Sequence, residues 1–205
     1  MIYHVLILLL FCIEYIYHYK NITHSNKNLT KKQKSNILSI KNSLTLSIYG
    51  IYYIINISNS EKETSLFISK LIVLYFTAYL ISDIYIGYNE YNKYMLSLSG
   101  YTHHIVYIII NILTLYFEVY PIYLLFMILE IPTFILTLGS FNKNYRDDIL
   151  FGITFLLTRI IYHILILVIF NKNKIIYYVG CCALIMHIYW FYNWIKKYGN
   201  KLFIN

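Results

Sequence analysis

Ile160-Ile161-Tyr162-His163-Ile164-Leu165-Ile166-Leu167-Val168-Ile169-Phe170 is apolar on nearly every side, and so is the run from Ile105 to Leu115. A strand of a membrane barrel alternates lipid-facing and lumen-facing residues. Neither run alternates, so a β-barrel is rejected. A helix that is apolar all round belongs in a core or in a membrane. These two stretches therefore predict helices in an apolar solvent.

Composition carries that reading to the whole chain. Of 205 residues, 59% are hydrophobic and 13% are charged, against about 25% charged in an ordinary soluble domain. The sequence predicts an all-α, multi-pass transmembrane helical bundle. Ile, Asn, Tyr, Lys and Phe have AT-rich codons, so part of the bias reflects base composition. A spanning helix needs about 20 residues, which places seven spans near 2–19, 37–57, 66–88, 95–117, 119–139, 148–170 and 174–195. The first is expected to be a retained helix and not a signal peptide. It lacks a basic start and a small-residue cleavage site, and its end, Glu14 to Lys20, reads as an interfacial anchor.

Orientation follows from the basic residues. Lys20, Lys27, Lys31, Lys32, Lys34, Lys93, Lys143, Arg146, Lys196, Lys197 and Lys201 fall on one side of a seven-span chain, and Lys62, Lys70, Lys172 and Lys174 on the other. The richer side is expected in the cytosol, with the C-terminus. The net charge of +8 then needs no nucleic acid to explain it, since basic loops attract anionic lipid headgroups. On this topology the sequons at Asn21 and Asn28 are cytosolic and unused, and Asn56-Ile57-Ser58 lies too close to the membrane to be modified. Cys12, Cys181 and Cys182 fall in spans and form no zinc or disulfide pattern.

Ionisable residues inside spans are expensive and usually face a bundle interior or cavity. Here they are Asp83, His103, His104, Glu130, Arg159, His163 and His187. The adjacent pair His103-His104 is the sharpest, a little over two turns into its span. Consecutive residues on a helix point about 100° apart, so the two rings cannot share one outward excuse. Glu130 and Arg159 fall near the midplane and suit an ion pair between helices. His163 reads as a hydrogen-bonded packing residue. Asp83 reads equally as an anchor or a functional group, and His187, beside Tyr189 and Trp190, suits an interface. Pro132 is expected to loosen its helix and free carbonyls. His103, His104, Glu130 and His187 are of metal-binding type, but neighbouring histidines do not easily reach one ion, so no metal is expected.

Together these residues resemble the TLC domain family over roughly residues 37–198. Ser99 to Val106, containing the histidine pair, is similar to that family's histidine region. Leu129-Glu130-Ile131-Pro132-Thr133-Phe134 resembles its glutamate segment. Leu150 to Ile160 resembles its aromatic helix with a buried arginine, and His187 to Tyr192 its closing helix, with histidine where asparagine is common. Asp83 fits its acidic residue ahead of the histidines.

The resemblance implies a six-helix core (37–198) preceded by an N-terminal helix and basic loop (1–36) and followed by a short tail (199–205). It implies an endoplasmic reticulum membrane and a cavity for acyl lipids, with His103 and His104 as catalytic candidates. Asp83, Glu130, Arg159 and His187 are the polar residues expected in that cavity. Its partners would be membrane lipids and acyl chains, and no cofactor is implied. Ceramide synthases of this family transfer an acyl group from acyl-CoA to a sphingoid amine and carry two acidic residues three positions apart. Glu130 matches the first and Thr133 replaces the second, so the resemblance is closer to the TLC domain-containing branch, which is linked to membrane lipid composition. The function implied is binding or regulation of acyl lipids. An acyl-CoA-dependent N-acyltransferase and a cargo receptor are the alternatives, although the tail has no lysine pair at a retrieval offset.

Overall fold

The computed structural model describes residues 2–57, 62–96 and 98–202. Ser58 of the third sequon and the end of the C-terminal tail, from Phe203, lie outside them. Among the described residues there is no strand. The long helices are α1 (Ile2–Ser25), α2 (Ile37–Ile55), α3 (Glu63–Glu90), α4 (His103–Tyr116), α5 (Tyr120–Phe141), α6 (Asp148–Ile169) and α7 (Lys174–Leu202). Four of them, α1, α3, α5 and α6, are long and apolar enough to cross a membrane. The protein is thus an all-helical chain with the segments of an integral membrane protein. In α2 the expected span is diluted by Lys41, Asn42, Ser43 and Ser47.

Helix α1 does not stop at the predicted anchor but continues to Ser25. It ends in an Asn-rich turn before Thr30, which forms a capping box with Gln33. Most of α1 faces outward, with Leu6, Leu10, Ile13 and Tyr17 exposed and Tyr15 and Tyr19 buried. The buried stripe lies on α3, where the Phe11 and Tyr75 rings meet edge to face at 5.3 Å. The Tyr15 hydroxyl donates to Asn42 Oδ1 at 3.1 Å, and Lys41 pairs with Glu14, which ties α1 to α2. Tyr15→Phe keeps the packing but leaves the buried Asn42 carbonyl unmet. Its expected cost is about 1–2 kcal/mol, read as a lower melting temperature in detergent. An unchanged melting temperature would show that α1 is held by packing alone.

Helix α2 lies directly on α5. The approach is close at Gly50, where a Cβ would stand 2.7 Å from the Ile128 backbone nitrogen. Two helices depart from α geometry where polar groups are placed. In α5, residues Leu124–Glu130 wind as a tighter 3-10 helix before Pro132. In α6, Leu156–Tyr162 widens into a π segment containing Arg159, a geometry found often at functional sites.

The predicted span 95–117 is not one helix. Asn92–Met95 forms a single turn, the chain kinks at Gly100 (φ −101°, ψ −117°), and α4 begins at His103. The histidine pair therefore opens a helix and does not sit two turns inside one. The cause is steric, because Gly100 packs against the Met95 backbone so closely that a Cβ would lie 2.2 Å from its carbonyl oxygen.

Candidate functional site: two polar clusters and an apolar cavity

The first cluster forms around His104. Because α4 starts at the kink, the His104 ring turns back and its Nδ1 donates to the Gly100 carbonyl at 2.9 Å. Its Nε2 lies 2.9 Å from Asp83 Oδ2 on α3. Asp83 Oδ1 accepts a 2.5 Å hydrogen bond from the Tyr91 hydroxyl. Asp83 and His104 are both buried. Asp83 thus joins α3, the Tyr91 turn and α4. Nearly two turns back along α3, Thr77 Oγ1 accepts from Asn111 Nδ2 at 3.0 Å, a second polar tie to α4.

His103 points elsewhere, as the angle between neighbours requires. Its ring lies 4.4 Å from that of Tyr107 and 6.0 Å from that of Trp190, and its Nδ1 is buried without a hydrogen-bond partner. The two histidines thus divide the work. His104 is clamped on both nitrogens, whereas His103 keeps a nitrogen free for proton transfer if a substrate reaches it.

The second cluster forms around Arg159. Its Nε donates to the Leu129 carbonyl at 2.7 Å and its Nη2 to Thr133 Oγ1 at 2.6 Å. Glu130 Oε1 stands 3.6 Å from Nη2, an ion pair longer than a hydrogen bond. Residues three apart share a helix face, so Glu130 and Thr133 meet the same guanidinium. The carbonyl captured in the Pro132 region is that of Leu129. Arg159 also lies over the Phe155 and Trp190 rings, at 5.3 and 5.9 Å from their centroids.

His187 is buried in the bundle. Its Nδ1 lies 3.2 Å from His163 Nδ1, so one ring must donate and the other accept. His163, read from the sequence as a hydrogen-bonded packing residue, is buried and pairs with His187 in this cluster. Trp190 links the second cluster to His103, since its ring lies within about 6 Å of His103, Arg159 and His187 alike.

Beside the second cluster is a partly open cavity of about 80 Å³. Its polar wall holds Glu130, Arg159, His163, His187, Tyr123 and Thr114, and its other walls are apolar, Phe126 and Val179 among them. Of the residues expected in a cavity, Glu130, Arg159 and His187 line this one. Asp83, His103 and His104 do not. A separate hollow of about 210 Å³ between the end of α2 and the start of α3 touches neither cluster.

Among the described residues no group of three or more metal-ligating side chains comes together. Sequence reasoning passed over Tyr91 and Tyr123, because a tyrosine in a chain with 25 of them carries no positional signal. No family model matches the chain, and no curated protein or solved structure matches it either.

Proposed function

We propose that this protein is a membrane-embedded lipid-handling protein that binds or regulates acyl lipids and acts in sphingolipid or phospholipid homeostasis. One observation carries the reading: an apolar cavity inside a bundle of membrane-type helices ends on a cluster of Glu130, Arg159, His163 and His187. An apolar pocket with a few convergent polar groups is the ordinary form of a ligand site. Here the surrounding solvent is lipid, so the ready ligand is an amphiphile.

The finer parts of the proposal rest on the sequence. The TLC-type resemblance supports a seven-span arrangement with a six-helix core, an endoplasmic reticulum membrane and lipid partners. The basic loops support a cytosolic C-terminus. Thr133 at the position of the second acidic residue favours the non-synthase branch, and its hydroxyl serves Arg159.

One observation favours a second reading as an acyl-CoA-dependent N-acyltransferase. His103 keeps a buried ring nitrogen with no partner, as a general base requires before its substrate arrives. Microsomes containing the protein would then form an N-acylated sphingoid base from acyl-CoA, and none would form under the first reading. The deciding experiment compares quantitative lipidomes of cells expressing the wild type and His103→Ala/His104→Ala. A shift in lipid composition that depends on the pair supports a lipid role. Identical lipidomes with and without the protein would overturn it.

A further inference from the structure

The cavity has a chemistry of its own, and assigning its ligand rests on the lipid-handling role. Its walls come from α4 (Tyr107, Ile110, Leu113) on one side and α7 (Ile176, Val179, Ala183) on the other. These two helices pack elsewhere, α4 on α3 and the start of α5, and α7 on α6. The rings of His103, at the start of α4, and Trp190, midway along α7, lie 6.0 Å apart between centroids. Both helices line the cavity, which is partly open.

The polar wall is unusually specific about what it lacks. Arg159 already serves two acceptors and an ion-pair partner. The Glu130 carboxylate, in contrast, accepts no hydrogen bond from the described residues, and its one close charge is Arg159 at 3.6 Å. The Tyr123 hydroxyl and His163 Nε2 are buried with no hydrogen-bond partner. Buried polar groups are normally paired, so the wall holds two buried groups without partners beside a part-exposed carboxylate that can accept from a ligand.

We propose that this cavity seats the hydroxyl-bearing end of a single-chain lipid, which enters sideways between α4 and α7. A hydroxyl both donates and accepts, so it can donate to Glu130 while accepting from Tyr123 or His163. A fatty-acid carboxylate only accepts, and it would place a second negative charge beside Glu130. An ester carbonyl leaves Glu130 unmet. The volume agrees with this assignment. About 80 Å³, where one water needs about 10–15 Å³ of such space, holds a small head and its first methylenes. The remainder of the chain lies in the gap and in the bilayer.

The test uses the purified full chain in lipid nanodiscs and a long-chain primary alcohol carrying a photoreactive diazirine near its head. Labelling is expected on α4 and α7 in residues 107–114 and 176–187. Unlabelled alcohol should displace the probe at least tenfold better than the fatty acid or the amine of equal chain length.

Tyr123→Phe should weaken the alcohol about fivefold without lowering the melting temperature, because the hydroxyl it removes has no partner in the protein. Ala183→Phe, which fills the cavity, should abolish displaceable labelling. Equal or better competition by the acid or by the amine would overturn the hydroxyl assignment while leaving a lipid site in place. Full affinity in Tyr123→Phe would count against the assignment in the same way. Labelling that no amphiphile displaces would overturn the lipid-handling reading as well.

Discussion

Arg159→Met is expected to cost about 3–5 kcal/mol of stability, the range for breaking a buried ion pair by removing one partner. Methionine preserves the apolar stem but strands two acceptors that the guanidinium hydrogen-bonds and the carboxylate that it pairs with by charge. These are the Leu129 carbonyl, Thr133 Oγ1 and the Glu130 carboxylate. The first lies in the 3-10 segment of α5, three residues before Pro132, which has no N–H to offer it. Arg159→Lys keeps the charge but not the planar fork, so it should recover only part of the loss.

The controls separate charge from hydrogen bonding. Thr133→Val removes one neutral acceptor and should cost about 1 kcal/mol. Glu130→Gln/Arg159→Met removes both charges and should be more stable than Arg159→Met alone. The measurement is melting temperature with monodispersity in a fixed detergent. If Arg159→Met melted with the wild type, the cluster would not hold α5 to α6.

Gly100→Ala is expected to be nearly as damaging, about 2–4 kcal/mol, in the upper range for a single substitution. A methyl group at this position would lie 2.2 Å from the Met95 carbonyl oxygen and 2.6 Å from its carbon. Both atoms are backbone, so relief requires the kink itself to open. Opening it moves the Gly100 carbonyl that His104 Nδ1 donates to, and with it the ring facing Asp83. The effect should therefore couple to Asp83. In a double-mutant cycle, Gly100→Ala and Asp83→Asn should cost together much less than the sum of their separate costs. Additive costs would show that the kink and the carboxylate act independently.

The membrane class was legible in residues alone, because a helix surrounded by hydrocarbon must be apolar on all sides and Ile160 to Phe170 meets that demand unaided. The kink was not. Gly100 was visible, but only contact with the Met95 backbone makes it a break and moves His103 from mid-span to the head of α4. The buried polar residues were likewise legible one by one, since each is costly in an apolar segment. Their grouping was not. Asp83 and His104 lie on different helices, as do Glu130 and Arg159, and no local spacing pairs them.

What the sequence determined by itself is that this chain is helical, apolar and membrane-type, with charge confined to a few positions inside its helices. Transfer energetics act residue by residue and leave their mark on composition. Tertiary structure alone decided that those positions form two clusters, that His104 is clamped while His103 is free, and that Glu130, His163 and Tyr123 face a shared cavity. Hydrogen bonds reach only about 3 Å. Which groups satisfy one another is therefore settled by how the helices pack, and residues far apart in the chain meet only then.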